Sequence, residues 1–189
     1  MVSAKRQMSR LAAGIAAYDP SPGRGGPTTL SWEDICQALA QVPDKAARAL
    51  MEVKYAHGAE SSHYLVVLKV WQNLKLWSLD EDWKPRDEHV LQKLARAAVT
   101  EFIDPCTCPV CKGTKERRQG PKSVQCPRCE GTGRISWSGN VRAELSGLSP
   151  STWRSKGSSW PARYKRALAL LYSLELQAVA DMELALAEE

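Results

Sequence analysis

Apolar side chains in much of this chain recur every three to four positions, the period of helices that bury one face. Ser31 is placed to cap a helix that carries Ile35, Leu39 and Val42 along one side, and Pro43 ends it. Asp44 can cap the next, where Ala47, Leu50, Met51 and Tyr55 fall in line before Gly58 breaks it. A third helix starts at Ser61 or Ser62 and carries Tyr64, Val67, Leu68, Trp71 and Leu74. A turn over residues 80–84 follows. Pro85 suits the first turn of a fourth helix, whose stripe is Val90, Leu91, Leu94, Ala98 and Phe102. The period returns late in the chain, where Pro161 can open a long helix with Tyr164, Ala167, Leu168, Leu171, Tyr172 and Leu174 or Glu175 in register. All these stripes read as core. Cys36, on the first helix, reads as a small buried hydrophobe.

The period fails at the N-terminus and in the middle. Residues 1–18 are basic and Ala-rich, and residues 19–27 (DPSPGRGGP) can hold neither a helix nor a central strand. The expected organisation is therefore mainly α. Residues 1–27 form a flexible basic arm and Pro/Gly linker, and 28–105 a helical body. A zinc-binding β-hairpin occupies 106–138, inserted ahead of a helix-turn-helix-like segment and a long C-terminal helix (139–189) that packs on the body.

The hairpin assignment comes from a short echo, Cys-Pro-Val-Cys-Lys-Gly-Thr at 108–114 and Cys-Pro-Arg-Cys-Glu-Gly-Thr-Gly at 126–133. Each Cys-Pro-x-Cys-x-Gly run is a tight turn whose glycine lets backbone amides face the thiolates. Two such turns supply Cys108, Cys111, Cys126 and Cys129 to one tetrahedral Zn²⁺. The 14 intervening residues suffice for a hairpin. Four thiolates leave no open coordination position, so the zinc is expected to be structural, with no catalytic residues. Cys106 is the alternative to Cys108 as ligand; Cys108 is preferred because it reproduces the spacing of Cys126 and Cys129. His57, His63 and His89 form no i,i+4 pair, and the His-x-Glu of zinc deaminases is missing. No phosphate loop or nucleophile–base spacing stands out, and the chain is not expected to be an enzyme.

Composition narrows the setting. Of 189 residues 43% are hydrophobic and 25% charged, an ordinary soluble balance. No apolar run approaches the ~20 residues of a membrane span. Leu11 to Ala17, behind Lys5, Arg6 and Arg10, is short and weakly apolar for a signal peptide. Five of the six cysteines lie within 106–129, paired as ligands for one metal and not spread as a disulfide framework, which fits a reducing cytoplasm. Charge is unevenly placed: residues 106–166 carry 13 Lys and Arg against three Asp and Glu, whereas 167–189 carry no base and five acids. A basic block of that density favours a polyanion. Lys115, Arg117, Arg118, Lys122, Arg128 and Arg134 are its candidate contacts to a nucleic-acid backbone or to RNA.

Residues 140–156 fit a helix-turn-helix. Ala143 lets a second helix pack close, Gly147 makes the turn, Ser149 caps the second helix and Pro150 opens it. Trp153 faces inward, and Leu145 and Leu148 supply core. Ser151, Thr152, Arg154, Ser155 and Lys156 are left outward, a set suited to phosphates and base edges of double-stranded DNA.

With two knuckles, a basic hairpin, the run Leu-Ser-Pro-Ser-Thr-Trp at 148–153 and an aromatic-bearing C-terminal helix, residues 85–189 resemble the late antitermination Q proteins of lambda-like bacteriophages. The likeness is most specific over 106–153, and Lys115 departs from it where a second glycine would stand. J-domain co-chaperones share the knuckle, but they carry four together with a His-Pro-Asp motif; this chain has two and no such motif. The resemblance implies a factor that binds DNA beside a late promoter in the bacterial cytoplasm. It would load onto RNA polymerase that still holds its sigma factor, suppress pausing and termination, and meet nascent RNA. Two other expectations stand beside it: a zinc-stabilised DNA-binding regulator that never loads onto polymerase, and a zinc-stabilised protein-interaction module.

Overall fold

A computed structural model describes residues 32–55, 59–84, 87–119 and 122–187. The expectations for residues 1–27, Ser31, His57, Gly58 and Pro85, and for the side chains of Arg118 and Lys122, lie outside the described residues. Seven helices are described: α1 (Trp32–Ala40), α2 (Lys45–Tyr55), α3 (Glu60–Asp80), α4 (Glu88–Ile103), α5 (Gly139–Leu145), α6 (Pro150–Arg154) and α7 (Trp160–Ala185). Between α4 and α5 run four short strands, β1 (Cys106–Thr107), β2 (Glu116–Gln119), β3 (Lys122–Gln125) and β4 (Arg134–Ile135). They pair antiparallel as β1–β4 and β2–β3. The protein is thus mainly helical, with a small stranded insertion.

The chain forms two compact units that cut across its linear segments. One combines Met1–Lys69 with Ala169–Glu189, and the other is Val70–Leu168. In the first, α1 buries Ile35, Ala38 and Leu39. Asp44 caps α2, its Oδ1 accepting from the amides of Ala46 (2.7 Å) and Ala47 (3.0 Å). Leu50 and Met51 of α2 and Leu171 and Met182 of α7 are fully buried. Leu174 and Glu175 are both buried as well. The Glu175 carboxylate accepts from Lys54 Nζ at 3.0 Å and from the Tyr55 hydroxyl at 2.5 Å. Burial and this carboxylate hold the Tyr55 phenol far above its ordinary range.

Three residues expected on the buried stripes of α1, α3 and α7 are not core. Cys36 is exposed, as are Tyr64 (63%) and Tyr172 (57%). Each helix turns about 100° per residue. The stripes actually buried are Ile35–Ala38–Leu39–Val42, Val66–Val70–Leu74 and Tyr164–Ala167–Leu171–Glu175. Each misplaced residue sits about a quarter to a third of a turn from the centre of its stripe.

In the second unit α4 begins at Glu88. Asp87 is the N-cap, its side chain accepting from the amides of His89 and Val90. Val90, Leu91, Leu94, Ala98 and Phe102 are all buried, as expected. The last turn of α4 adds a charge to this core. Glu101, 4% exposed, accepts from the Trp137 amide (2.9 Å), Arg142 Nε (2.9 Å), Arg142 Nη2 (2.7 Å) and the Tyr164 hydroxyl (2.8 Å). One carboxylate thereby joins α4, the exit of the stranded insertion, α5 and α7. Trp153 meets Tyr164 edge-on at 5.7 Å between ring centroids.

Candidate metal centre and basic ribbon

Residues 106–135 are built as the same half twice, 18 positions apart. Cys106 and Thr107 of β1 face Ile135 and Arg134 of β4, while Val124 and Gln125 of β3 face Arg117 and Glu116 of β2. The Cys108 amide donates to the Gly133 carbonyl (2.9 Å) and the Cys126 amide to the Lys115 carbonyl (3.0 Å), so each half is tied to the other by equivalent bonds. Thr114 Oγ1 donates to the Cys111 carbonyl (2.7 Å) and Thr132 Oγ1 to the Cys129 carbonyl (2.6 Å). These threonines close the turns, and sequence reasoning missed them, although Gly-Thr follows the second cysteine in both knuckles.

The backbone repeats as well. Lys112 and Glu130 both stand at φ 49°, Gly113 and Gly131 at 86° and 75°, Lys115 and Gly133 at 69° and 77°. Each turn needs left-handed backbone at three of four consecutive sites, where a side chain is disfavoured. Gly133 cannot take one at all, because a Cβ there would lie 2.8 Å from the Gly113 carbonyl oxygen. Lys115, its counterpart, holds the same conformation with a side chain in place.

This scaffold brings Cys108, Cys111, Cys126 and Cys129 together, buried, with their sulfurs all within 4.8 Å of one another. The Cys108–Cys126 separation is 4.0 Å and the Cys111–Cys129 separation 3.6 Å. A tetrahedron with metal–sulfur bonds of about 2.3 Å has edges of about 3.8 Å, so the four thiols fit one metal ion. Ile135 packs against the cluster. Cys106 is exposed on β1 and stands outside it, the counterpart of Val124 in the repeat. The half-buried His63 and exposed His89 do not join it either.

Burial raises the thiols of Cys111 and Cys129, and the amides around them oppose it. At Cys129 the Gly133 amide, 3.2 Å from Sγ, and the neighbouring thiols outweigh burial and bring it down to about 7. At Cys111 burial and the Cys129 thiol prevail over the amides of Gly113 and Lys115, which leaves it at about 11. A metal ion would displace these protons and satisfy all four sulfurs at once.

Among the basic candidates, Lys115, Arg117 and Arg128 are exposed on the ribbon. Arg134 is half committed to it: its Nη1 donates to the Pro105 carbonyl (3.1 Å) and Thr107 Oγ1 (3.3 Å) and lies 3.5 Å from Asp104.

After the ribbon, α5 and α6 form a small helical hairpin. Gly147, at φ 74°, turns the chain, with Gly147 N bonded to Glu144 O and Leu148 N to Ala143 O, both at 2.9 Å. Ser149 caps α6 through the Thr152 amide (3.0 Å) and Trp153 is 5% exposed, both as expected. Two expectations fail. Leu145 is 47% exposed and Leu148 only half-buried, because Ala143 and Ser146 supply the inward face of α5. The second helix ends at Arg154; Ser155 is already extended (ψ 143°) and Gly157 stands at φ 84°, so Ser155 and Lys156 lie beyond it. Ser151, Thr152, Arg154, Ser155 and Lys156 are nonetheless all exposed.

No helix among the described residues is long and apolar enough to cross a membrane. No protein-family model, curated protein sequence or solved structure matches this chain.

Proposed function

We propose that this protein is a transcription antitermination factor of the phage type. Its single structural Zn²⁺ is held by Cys108, Cys111, Cys126 and Cys129. It binds a DNA element near a late promoter, loads onto host RNA polymerase with its sigma factor, and suppresses pausing and termination. The observation that carries this reading is the pairing of a closed thiolate cluster with a basic exterior. Four buried sulfurs leave a metal no open position for a substrate. The ribbon they would fix exposes Lys115, Arg117 and Arg128, in a stretch with 13 bases and three acids. Charge of that kind, held on a rigid turn, suits phosphates.

Zinc is the ion best matched to four thiolates at this spacing. Arg154 is the best-placed side chain for a base edge, being exposed at the end of α6 and tethered, among the described residues, through Nε to the Pro150 carbonyl (3.2 Å). The five-residue α6 is short for a recognition helix, so phosphate contacts have to carry much of the affinity.

The test is terminator readthrough by purified bacterial polymerase on a promoter template, run beside a DNA-binding titration. Wild type should raise readthrough. Arg154→Ala should lose sequence-specific binding, an effect of about 1–3 kcal/mol, keep most non-specific binding, and recover readthrough at high concentration. DNA binding without any readthrough would instead leave a simple DNA-binding regulator. The interaction-module reading has one observation in its favour, the exposed row Tyr172, Leu176 and Leu184 on α7. It prevails if no salt-dependent DNA binding is found.

A further inference from the structure

Where α6 gives way to α7, the second unit has a cavity of about 260 Å³ whose chemistry is one-sided. Lys84 and Lys156 contribute to its wall, with Thr152, Ser155, Ser158 and Trp160, and no carboxylate lines it among the described residues. Ser158 Oγ is shut off from solvent and finds no hydrogen-bond partner among the described residues. The first turn of the 26-residue α7 begins at the same wall. Cationic and hydroxyl donors around a hollow of this kind suit an oxyanion.

Lys84 is held there by a separate device. The Arg163 guanidinium, 3% exposed, lies over the Trp160 ring (4.3 Å) and the Trp83 ring (4.8 Å), and its Nη2 donates to the Lys84 carbonyl at 3.1 Å. The backbone of Lys84 is thus fixed by this stack, while its ammonium is exposed and pairs with exposed Asp82 at 3.2 Å. A surface pair of that kind is weak, and a phosphate can displace it.

We infer that this cavity seats a phosphate group of the bound nucleic acid, with Lys84 and Lys156 as its two cationic walls. The inference rests on the nucleic-acid reading above. It adds Lys84, which is remote in sequence from every other contact proposed.

The test measures binding of the full chain to a fluorescein-labelled duplex DNA of random sequence as a function of salt. Lys84→Gln and Lys156→Gln should each lower the slope of log K against log[salt] by about one, and the double variant by about two. Lys45→Gln, on α2, serves as the charge-matched control and should leave the slope unchanged. Thermal midpoints verify that the variants stay folded. A second arm follows the wild-type midpoint against inorganic phosphate. If wild type binds duplex and the double variant keeps its slope, the cavity assignment is overturned and the proposed function stands. If duplex does not bind but phosphate raises the midpoint of wild type and not of the double variant, the oxyanion site stands, and its source is free phosphate. If neither probe binds, both readings fall.

Discussion

The ribbon and the helical part of the second unit each gather polar groups at a buried centre, but they do so for different reasons. In the helical part, Glu101 is surrounded by Arg142, Tyr164 and the Trp137 amide, and packed side chains such as Leu94, Ala98 and Trp153 bury the apolar surface. The charge is one satisfied group within a core that packs for other reasons. The ribbon has no such core. Its centre is four cysteines with Ile135 packed against them, and its strands are two to four residues long. Strands so short are not stable alone. The first centre therefore tunes a fold that exists, while the second, if loaded with metal as proposed, would create one.

The strongest way to break this comparison is to remove the metal. Structural zinc contributes on the order of 10–16 kcal/mol to folding of such sites. A chelator should therefore melt residues 106–135 outright while the α3, α4 and α7 segments keep their protection. Hydrogen exchange reads both regions in one experiment. Simultaneous loss of protection in both would mean that the ribbon is not an independent layer. The counterpart on the helical side should be smaller. Trp153→Ala removes a large buried ring and should cost about 3–5 kcal/mol. Glu101→Gln, which strands Arg142 without its charge, should cost up to a similar amount. Denaturant melts of zinc-loaded protein measure both, and metal content should not change in either.

A finer contrast lies inside the ribbon. Lys115 and Gly133 hold the same left-handed backbone in the two halves. Lys115→Gly should relieve strain and stabilise by up to about 1 kcal/mol, after allowing for the freer unfolded chain. Gly133→Ala should destabilise by at least about 2 kcal/mol, since its Cβ would meet the Gly113 carbonyl as well. If both substitutions shift the midpoint in the same direction, the internal repeat is not as symmetric as its hydrogen bonds imply.

Much of this was legible in the sequence, and the misses have physical causes. The buried faces of α1, α2, α4 and α7 follow from apolar spacing, and the thiolate cluster follows from the two Cys-x-x-Cys turns. Cys36, Tyr64 and Tyr172 were misplaced because a large or small apolar residue beside a stripe looks like part of it until the helix phase is known. The Glu101 network was invisible because its partners lie 36, 41 and 63 positions away, and no local pattern marks a carboxylate that is to be buried. Lys84 was missed for the same reason: its neighbours in the cavity begin at Thr152. The length of α6 was overestimated because outward Ser and Lys carry no helix-stop signal of their own, and the glycine that stops it lies at 157.

The proposed nucleic-acid role of the ribbon depends most on the metal centre that would hold it rigid. Elemental analysis of the purified protein and of two variants tests it directly. One zinc per chain is predicted for wild type and for Cys106→Ser, whose thiol is exposed on β1, and none for Cys129→Ser. Absence of zinc from wild type, two ions per chain, or loss of the ion from Cys106→Ser would contradict it.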